Sequence, residues 1–176
     1  GLPPVELFND RPFNKQQLTV PFGLAPTYSQ RVWTFLADVA VPDFIVPAVI
    51  EKFRGALDEW IAQNWPDVPP ESVQLHSSDG RIILRGRGYR IPPHRDPKWA
   101  FITCILYLAR RHDSETWGTQ LYSVDEDEEA RGAAPHWIDA ARCRPVADVT
   151  FKPNRMLVFL NSTGAHRSEE HTSELQ

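Results

Sequence analysis

The stretch VQLHSSDGRIIL, Val73 to Leu84, is where the hydrophobic period of the chain changes. Two short apolar runs, Val73 to His76 and Ile82 to Leu84, flank Ser78-Asp79-Gly80. Small polar residues between such runs read as a tight turn joining antiparallel strands. The same rhythm continues downstream in Ala100 to Ala109, Gly118 to Val124, Val146 to Phe151 and Met156 to Leu160. Each such strand must bury one face against a second layer. The expected fold class is therefore mainly β with an N-terminal helix (α+β), a sheet sandwich or jelly-roll barrel with helical buttressing.

Upstream the signals differ. From Phe44, the residues Val46, Val49, Ile50, Phe53, Ala56, Leu57, Trp60 and Ile61 recur at three- and four-residue steps, the stripe of an amphipathic helix. Asp43 is placed to cap it, Pro47 suits its first turn, and Pro66 stops it after Asn64. Arg31 to Val41 mixes β-branched and aromatic residues and reads as a strand, although Leu36 to Ala40 would tolerate a helix. Residues 1–30 carry Pro3, Pro4, Pro12, Pro21 and Pro26, a composition that favours an extended arm over an independent element.

With 176 residues, 41% of them hydrophobic and 24% charged, the chain has the balance of one globular domain, not of a disordered or fibrous polymer. The expected organisation is a single domain over residues 1–166, with an arm and helical buttress over 1–70 and a barrel core over 71–166. No apolar run approaches the roughly 18 residues of a membrane helix, and no signal segment is visible, so no membrane partner is expected. The net charge is −4, of which the last ten residues contribute −2. Near-neutrality supplies no global field for nucleic acid, and no nucleic-acid partner is expected. Cys104 and Cys143 are too few for a disulfide framework. The terminal RSEEHTSELQ, Arg167 to Gln176, resembles a translated sequencing-library adapter and reads as a non-native tail without the apolar alternation of a strand.

Chemistry concentrates in Arg90-Ile91-Pro92-Pro93-His94-Arg95-Asp96-Pro97. Pro92, Pro93 and Pro97 deny this segment a helix interior. In extended backbone, residues two apart point the same way, so His94 and Asp96 share a face; on a helix they would lie about 200° apart. An imidazole and a carboxylate joined by a second imidazole form the two-histidine, one-carboxylate face that leaves positions open on Fe(II). The second histidine must come from a distant strand, and His166 is the candidate. It follows the apolar run Met156 to Leu160 and the small, polar turn Asn161 to Ala165. The alternatives fit less well. His76 lies among strand residues, His112 in a charged loop, His136 before Trp137, and His171 in the suspected tail.

His94-Arg95-Asp96, then Thr103-Cys104-Ile105-Leu106-Tyr107-Leu108, Trp117-Gly118-Thr119-Gln120-Leu121, Lys152-Pro153-Asn154-Arg155-Met156-Leu157-Val158-Phe159 and His166 resemble, in order and spacing, the motifs of prolyl-hydroxylase-like Fe(II)/2-oxoglutarate dioxygenases. The resemblance spans about residues 73–166. It implies a double-stranded β-helix, a cupin-like jelly roll, and makes His94, Asp96 and His166 the iron ligands. Tyr107 matches a tyrosine whose hydroxyl contacts the co-substrate, and Leu121 would line the co-substrate pocket. The implied oxidoreductase activity uses Fe(II), O2 and 2-oxoglutarate. It oxidatively decarboxylates 2-oxoglutarate to succinate and CO2 while hydroxylating a C–H bond of a peptidyl (prolyl-type) or small-molecule substrate.

One family feature is missing. The resemblance implies an Arg or Lys about nine residues beyond the distal histidine, pairing with the far carboxylate of 2-oxoglutarate, and Leu175 stands there. The barrel also reads as lacking its last strand or strands. This departure keeps open a catalytically silent β-helix module that binds without turnover. A zinc hydrolase ranks below both, since the His-x-Asp strand offers no nearby glutamate as a base. Arg81, Arg85, Arg87, Arg90, Arg95 and Lys98 fall within 18 residues opposed only by Asp96, a patch that would steer an anion or simply form a solvated face. Trp99, Trp117 and Trp137 are candidates for a substrate mouth or for packing.

Overall fold

A computed structural model of the chain describes residues 9–11, 14–21, 27–77, 80–85, 89–97, 100–125, 136–161 and 165–169, with backbone alone at 9–11, 14–21, 90, 136 and 165–169. Its helices precede a set of antiparallel strands, an α+β arrangement. The chain divides into two compact units, Gly1–Arg85 and Gly86–Gln176.

In the first unit, the proline-rich arm forms two strands. β1 (Asn9–Arg11) pairs with β2 (Asn14–Pro21), and β2 pairs with β3 (Arg81–Arg85) from Gln17–Arg85 to Pro21–Arg81. Pro21 closes β2, where a missing N–H costs the ladder least. The expected partner of β3, Val73 to His76, is not a strand; β2 offers a longer ladder in its place. The expected turn includes Ser78 and Asp79, which lie outside the described residues. On β3, Ile82 is buried while Ile83 is exposed, the alternation of a half-buried strand.

Arg31 to Val41 is helical, not extended. Helix α1 (Thr27–Phe35) runs into a π-helical segment, Leu36–Ile45, and on into α2 (Val46–Asn64). The β-branched residues Val32, Thr34, Val39 and Val41 each lower helix propensity by only a few tenths of a kcal/mol, which tertiary burial of Trp33 readily offsets. The wide turn has a local cause: Pro42 lacks an N–H and its ring crowds the preceding turn, and Val46 donates to the Val41 carbonyl five residues back. Because the helix starts upstream, Asp43 is interior and caps nothing, and Ile45 at the start of α2 makes no side-chain cap. Pro47 occupies the first turn of α2, and the helix ends at Asn64 ahead of Pro66. α2 buries Val49, Leu57 and Ile61 on one stripe. The continuous helix Thr27–Asn64 includes a stretch that is, by length and composition, apolar enough to cross a membrane, a test that core helices of soluble proteins also meet. Asp38, Pro42, Asp43 and Pro47 divide that stretch in the sequence and conceal it.

The second unit holds two sheets. One has the order β7 (His136–Trp137), β4 (Arg90–Arg95), β10 (Ala165–Glu169), β6 (Thr119–Val124), β8 (Cys143–Val149); the other pairs β5 (Ile102–Tyr107) with β9 (Arg155–Leu160). All pairings are antiparallel. β10 includes Arg167, Ser168 and Glu169 of the supposed tail, and it sits between β4 and β6. A strand flanked on both edges is held by two ladders of main-chain hydrogen bonds, which do not require apolar alternation. Arg95, one residue of the basic patch, is 4% exposed, so its side chain does not lie on a solvated face. Tyr122 and Ile138 form an apolar cluster, packed against by Val124 and Cys143.

Candidate metal centre

His94 lies near the end of β4 and Asp96 just beyond it, where Pro92 and Pro93 keep the backbone extended. The expected shared face is observed: His94 Nε2 stands 3.9 Å from Asp96 Oδ1. His94 is 7% exposed, and its Nδ1 lies 2.9 Å from the Pro92 carbonyl. A carbonyl only accepts, so Nδ1 is the donor in that contact, and Nε2 is the ring nitrogen that faces the carboxylate. Trp137, the cross-strand partner of His94 on β7, places its ring 5.2 Å from the imidazole at 46°. The Ile138 N–H donates to the Pro93 carbonyl at 2.9 Å and extends that edge beyond the strand.

Asp96 is fixed from the other sheet. Thr103 Oγ1 on β5 donates to Asp96 Oδ2, leaving Oδ1 as the oxygen on the histidine side. Asn161, buried at the end of β9, donates through Nδ2 to the carbonyls of Asp96 at 2.8 Å and Pro97 at 2.9 Å. Its own N–H donates to the Phe101 carbonyl at 2.9 Å. A ring nitrogen oriented by a backbone carbonyl and a carboxylate oriented by a hydroxyl are the outer contacts that metal ligands normally need. Two ligands about 2.1 Å from a common ion at right angles are about 3 Å apart, so the pair would close by about 1 Å around one. An imidazole nitrogen and a carboxylate oxygen are both donors that a divalent metal ion accepts.

Position 166 is the Cα partner of His94 across the β10–β4 ladder and of Leu121 across the β10–β6 ladder. The ladder shifts register between His166 and Ser168, and bulges of this kind often sit beside active sites. Among the described residues, no group of three or more His, Cys, Asp and Glu is gathered to hold a metal, and at 166 the backbone alone is described. Leu121 is half-buried. Tyr107 lies on the other sheet, 2% exposed, its ring 5.2 Å from that of Phe151 in an edge contact. Leu175, Trp99 and His171 fall outside the described residues.

Thr103 and Asn161 carry no local sequence pattern that assigns them a part at this site. The signal for Thr103 was a hydroxyl within an otherwise apolar strand, whereas Asn161 acts across 65 residues and leaves no mark on local spacing. Comparison with family models, curated proteins and solved structures returns no match for this chain.

Proposed function

We propose that the chain is an Fe(II)- and 2-oxoglutarate-dependent dioxygenase that hydroxylates a C–H bond of a peptidyl (prolyl-type) or small-molecule substrate. The observation that carries this reading is the oriented His94–Asp96 pair, with position 166 opposite His94 in the sheet. Directly opposed residues of an antiparallel pair are close neighbours on one face, which is where a third ligand is needed. The strand order supports a double-stranded β-helix: the chain passes from the five-stranded sheet to the β5–β9 sheet and back twice, as a jelly roll's two sheets require.

In this reading His94, Asp96 and His166 hold the ion, which when bound supplies oxygen activation coupled to decarboxylation of 2-oxoglutarate to succinate and CO2. The chain's own contribution is geometric. The Pro92 carbonyl holds the proton on His94 Nδ1, Thr103 holds Asp96 through Oδ2, and Asn161 pins the turn that carries the carboxylate. Trp137 covers one side of the imidazole and limits water there. Leu121, opposite position 166, lines the co-substrate side.

The test is succinate release from 2-oxoglutarate by the full chain. Release that requires Fe(II) and disappears in both His94→Ala and Asp96→Ala supports the dioxygenase. Stoichiometric Fe(II) binding with no turnover across candidate peptides and small molecules would instead identify a silent binding module.

A further inference from the structure

Between β2 and β3 the continuous helix Thr27–Asn64 holds an 18-residue window that is apolar enough to cross a bilayer, yet only 11% of that window is buried. A helix that is hydrophobic on all sides belongs in a core or in lipid. Core burial does not account for this one: the π-helical segment Leu36–Ile45, LADVAVPDFI, contains no buried residue. On α1, Ser29 and Trp33 form a buried stripe, whereas Tyr28, Val32 and Phe35, at steps of four and three residues, are each more than half exposed. At about 100° per residue the two stripes lie about 110° apart, so the uncovered one is a face of its own. Phe44, also more than half exposed, continues the apolar surface along the helix.

An exposed apolar face of this kind marks contact with a protein or a membrane. The side chains of Tyr28, Val32, Phe35 and Phe44 expose about 500 Å² together, so two copies would bury about 1,000 Å², short of the roughly 1,200 Å² of a stable interface. Such a dimer would also meet one side of the helix only. Val39-Ala40-Val41 and Phe44-Ile45-Val46 are consecutive and none of the six is buried, so their apolar surface spreads over about 200° of the circumference. A lipid interface encloses a sunken helix on several sides and accommodates that spread.

The first unit's sheet sets how the helix lies. Pro21 at the end of β2 is the Cα partner of Arg81 at the start of β3, so the chain leaves and re-enters the sheet at neighbouring points. Residues 65–80 contain Asp67, Glu71 and Asp79 and no apolar run that could recross a bilayer. The helix therefore lies in the membrane plane. Its charges select the lipid: Asp38 and Asp43 are the only charged residues in 32–49, both are exposed, and an anionic headgroup surface repels them. We infer that Tyr28, Val32, Phe35 and Phe44 dock the protein in the plane of a neutral, phosphatidylcholine-type bilayer. The inference stands independently of the metal centre.

The full chain is mixed with sedimentable vesicles of phosphatidylcholine, alone or blended with phosphatidylserine, and the bound fraction is read from the pellet. Wild type is expected to bind phosphatidylcholine and to bind the blended vesicles more weakly. Phe35→Asp combined with Phe44→Asp should weaken binding by about tenfold or more, since two lipid-facing rings are lost. Both rings are exposed in the protein, so the urea midpoint of this double variant should match wild type. Asp38→Asn combined with Asp43→Asn should raise affinity for the blended vesicles. No binding to phosphatidylcholine, equal binding by the phenylalanine double variant, or binding that requires phosphatidylserine overturns the inference. Sedimentation of wild type as a dimer that the phenylalanine double variant makes monomeric also overturns it, because the face then belongs to a second copy.

Discussion

The Thr103 hydroxyl donates to Asp96, and that contact is a residue-scale control over the candidate centre. Thr103→Val keeps the branched shape of the strand residue and removes the donor, freeing the carboxylate to rotate away from His94. Loss of such an outer contact typically costs 10- to 100-fold in metal affinity, so titration of this variant with Fe(II) or Co(II) should show a weakening of about that size. Unaltered affinity would mean that Thr103 does not position the ligand. His94 and Asp96 were legible because prolines fix their backbone locally. Thr103 and Asn161 were not, since their contacts join segments that only the folded sheets bring together. One position along β5, Cys104 has exposed surface yet is desolvated enough to push its thiol above the ordinary value. The folded chain therefore keeps a proton that the unfolded chain releases. This contribution to stability is present below the unfolded thiol's pKa and is lost as pH rises through the folded one. In a Cys143→Ser background, the pH midpoint for alkylation of Cys104 should lie higher in native protein than in urea.

At the scale of elements, one close approach decides whether β6 can form. A Cβ on Gly118 would overlap the Val149 carbonyl oxygen and lie 2.8 Å from its carbon, both backbone atoms of β8. Gly118→Ala must push the two strands apart, and a cost of about 3 kcal/mol or more is expected, the top of the usual overpacking range, read from urea unfolding. In the other unit, Leu57→Ala on α2 empties a site only 1% exposed and should cost about 2–5 kcal/mol. The stripe containing Leu57 was legible because a single helix face repeats it. The strand-like reading of Arg31 to Val41 failed for a related reason. Its β-branched residues signal a preference of tenths of a kcal/mol, which continuity with α2 outweighs. β10 was illegible because a strand bonded on both edges draws on its neighbours' main chains, about which Arg167, Ser168 and Glu169 say nothing.

On the scale of the whole molecule, the three proposed ligands belong to one compact unit, Gly86–Gln176, on adjacent strands β4 and β10. Residues 94 and 166 are brought together only when the β10–β4 ladder forms, so an ion that needs both binds the folded unit and not the unfolded chain. Binding must then stabilise that unit by mass action, by about 2.7 kcal/mol when free metal stands at 100 times Kd. Trp137, beside His94, supplies the probe, isolated as the fluorescence difference between wild type and Trp137→Phe. With urea slopes of about 1–3 kcal/mol/M, saturating Co(II) should move the Trp137-reported midpoint upward by about 1–3 M. His94→Ala should abolish the movement. A shift of equal size in His94→Ala would place the bound ion elsewhere and remove the ground for treating the β4–β10 ladder as its site.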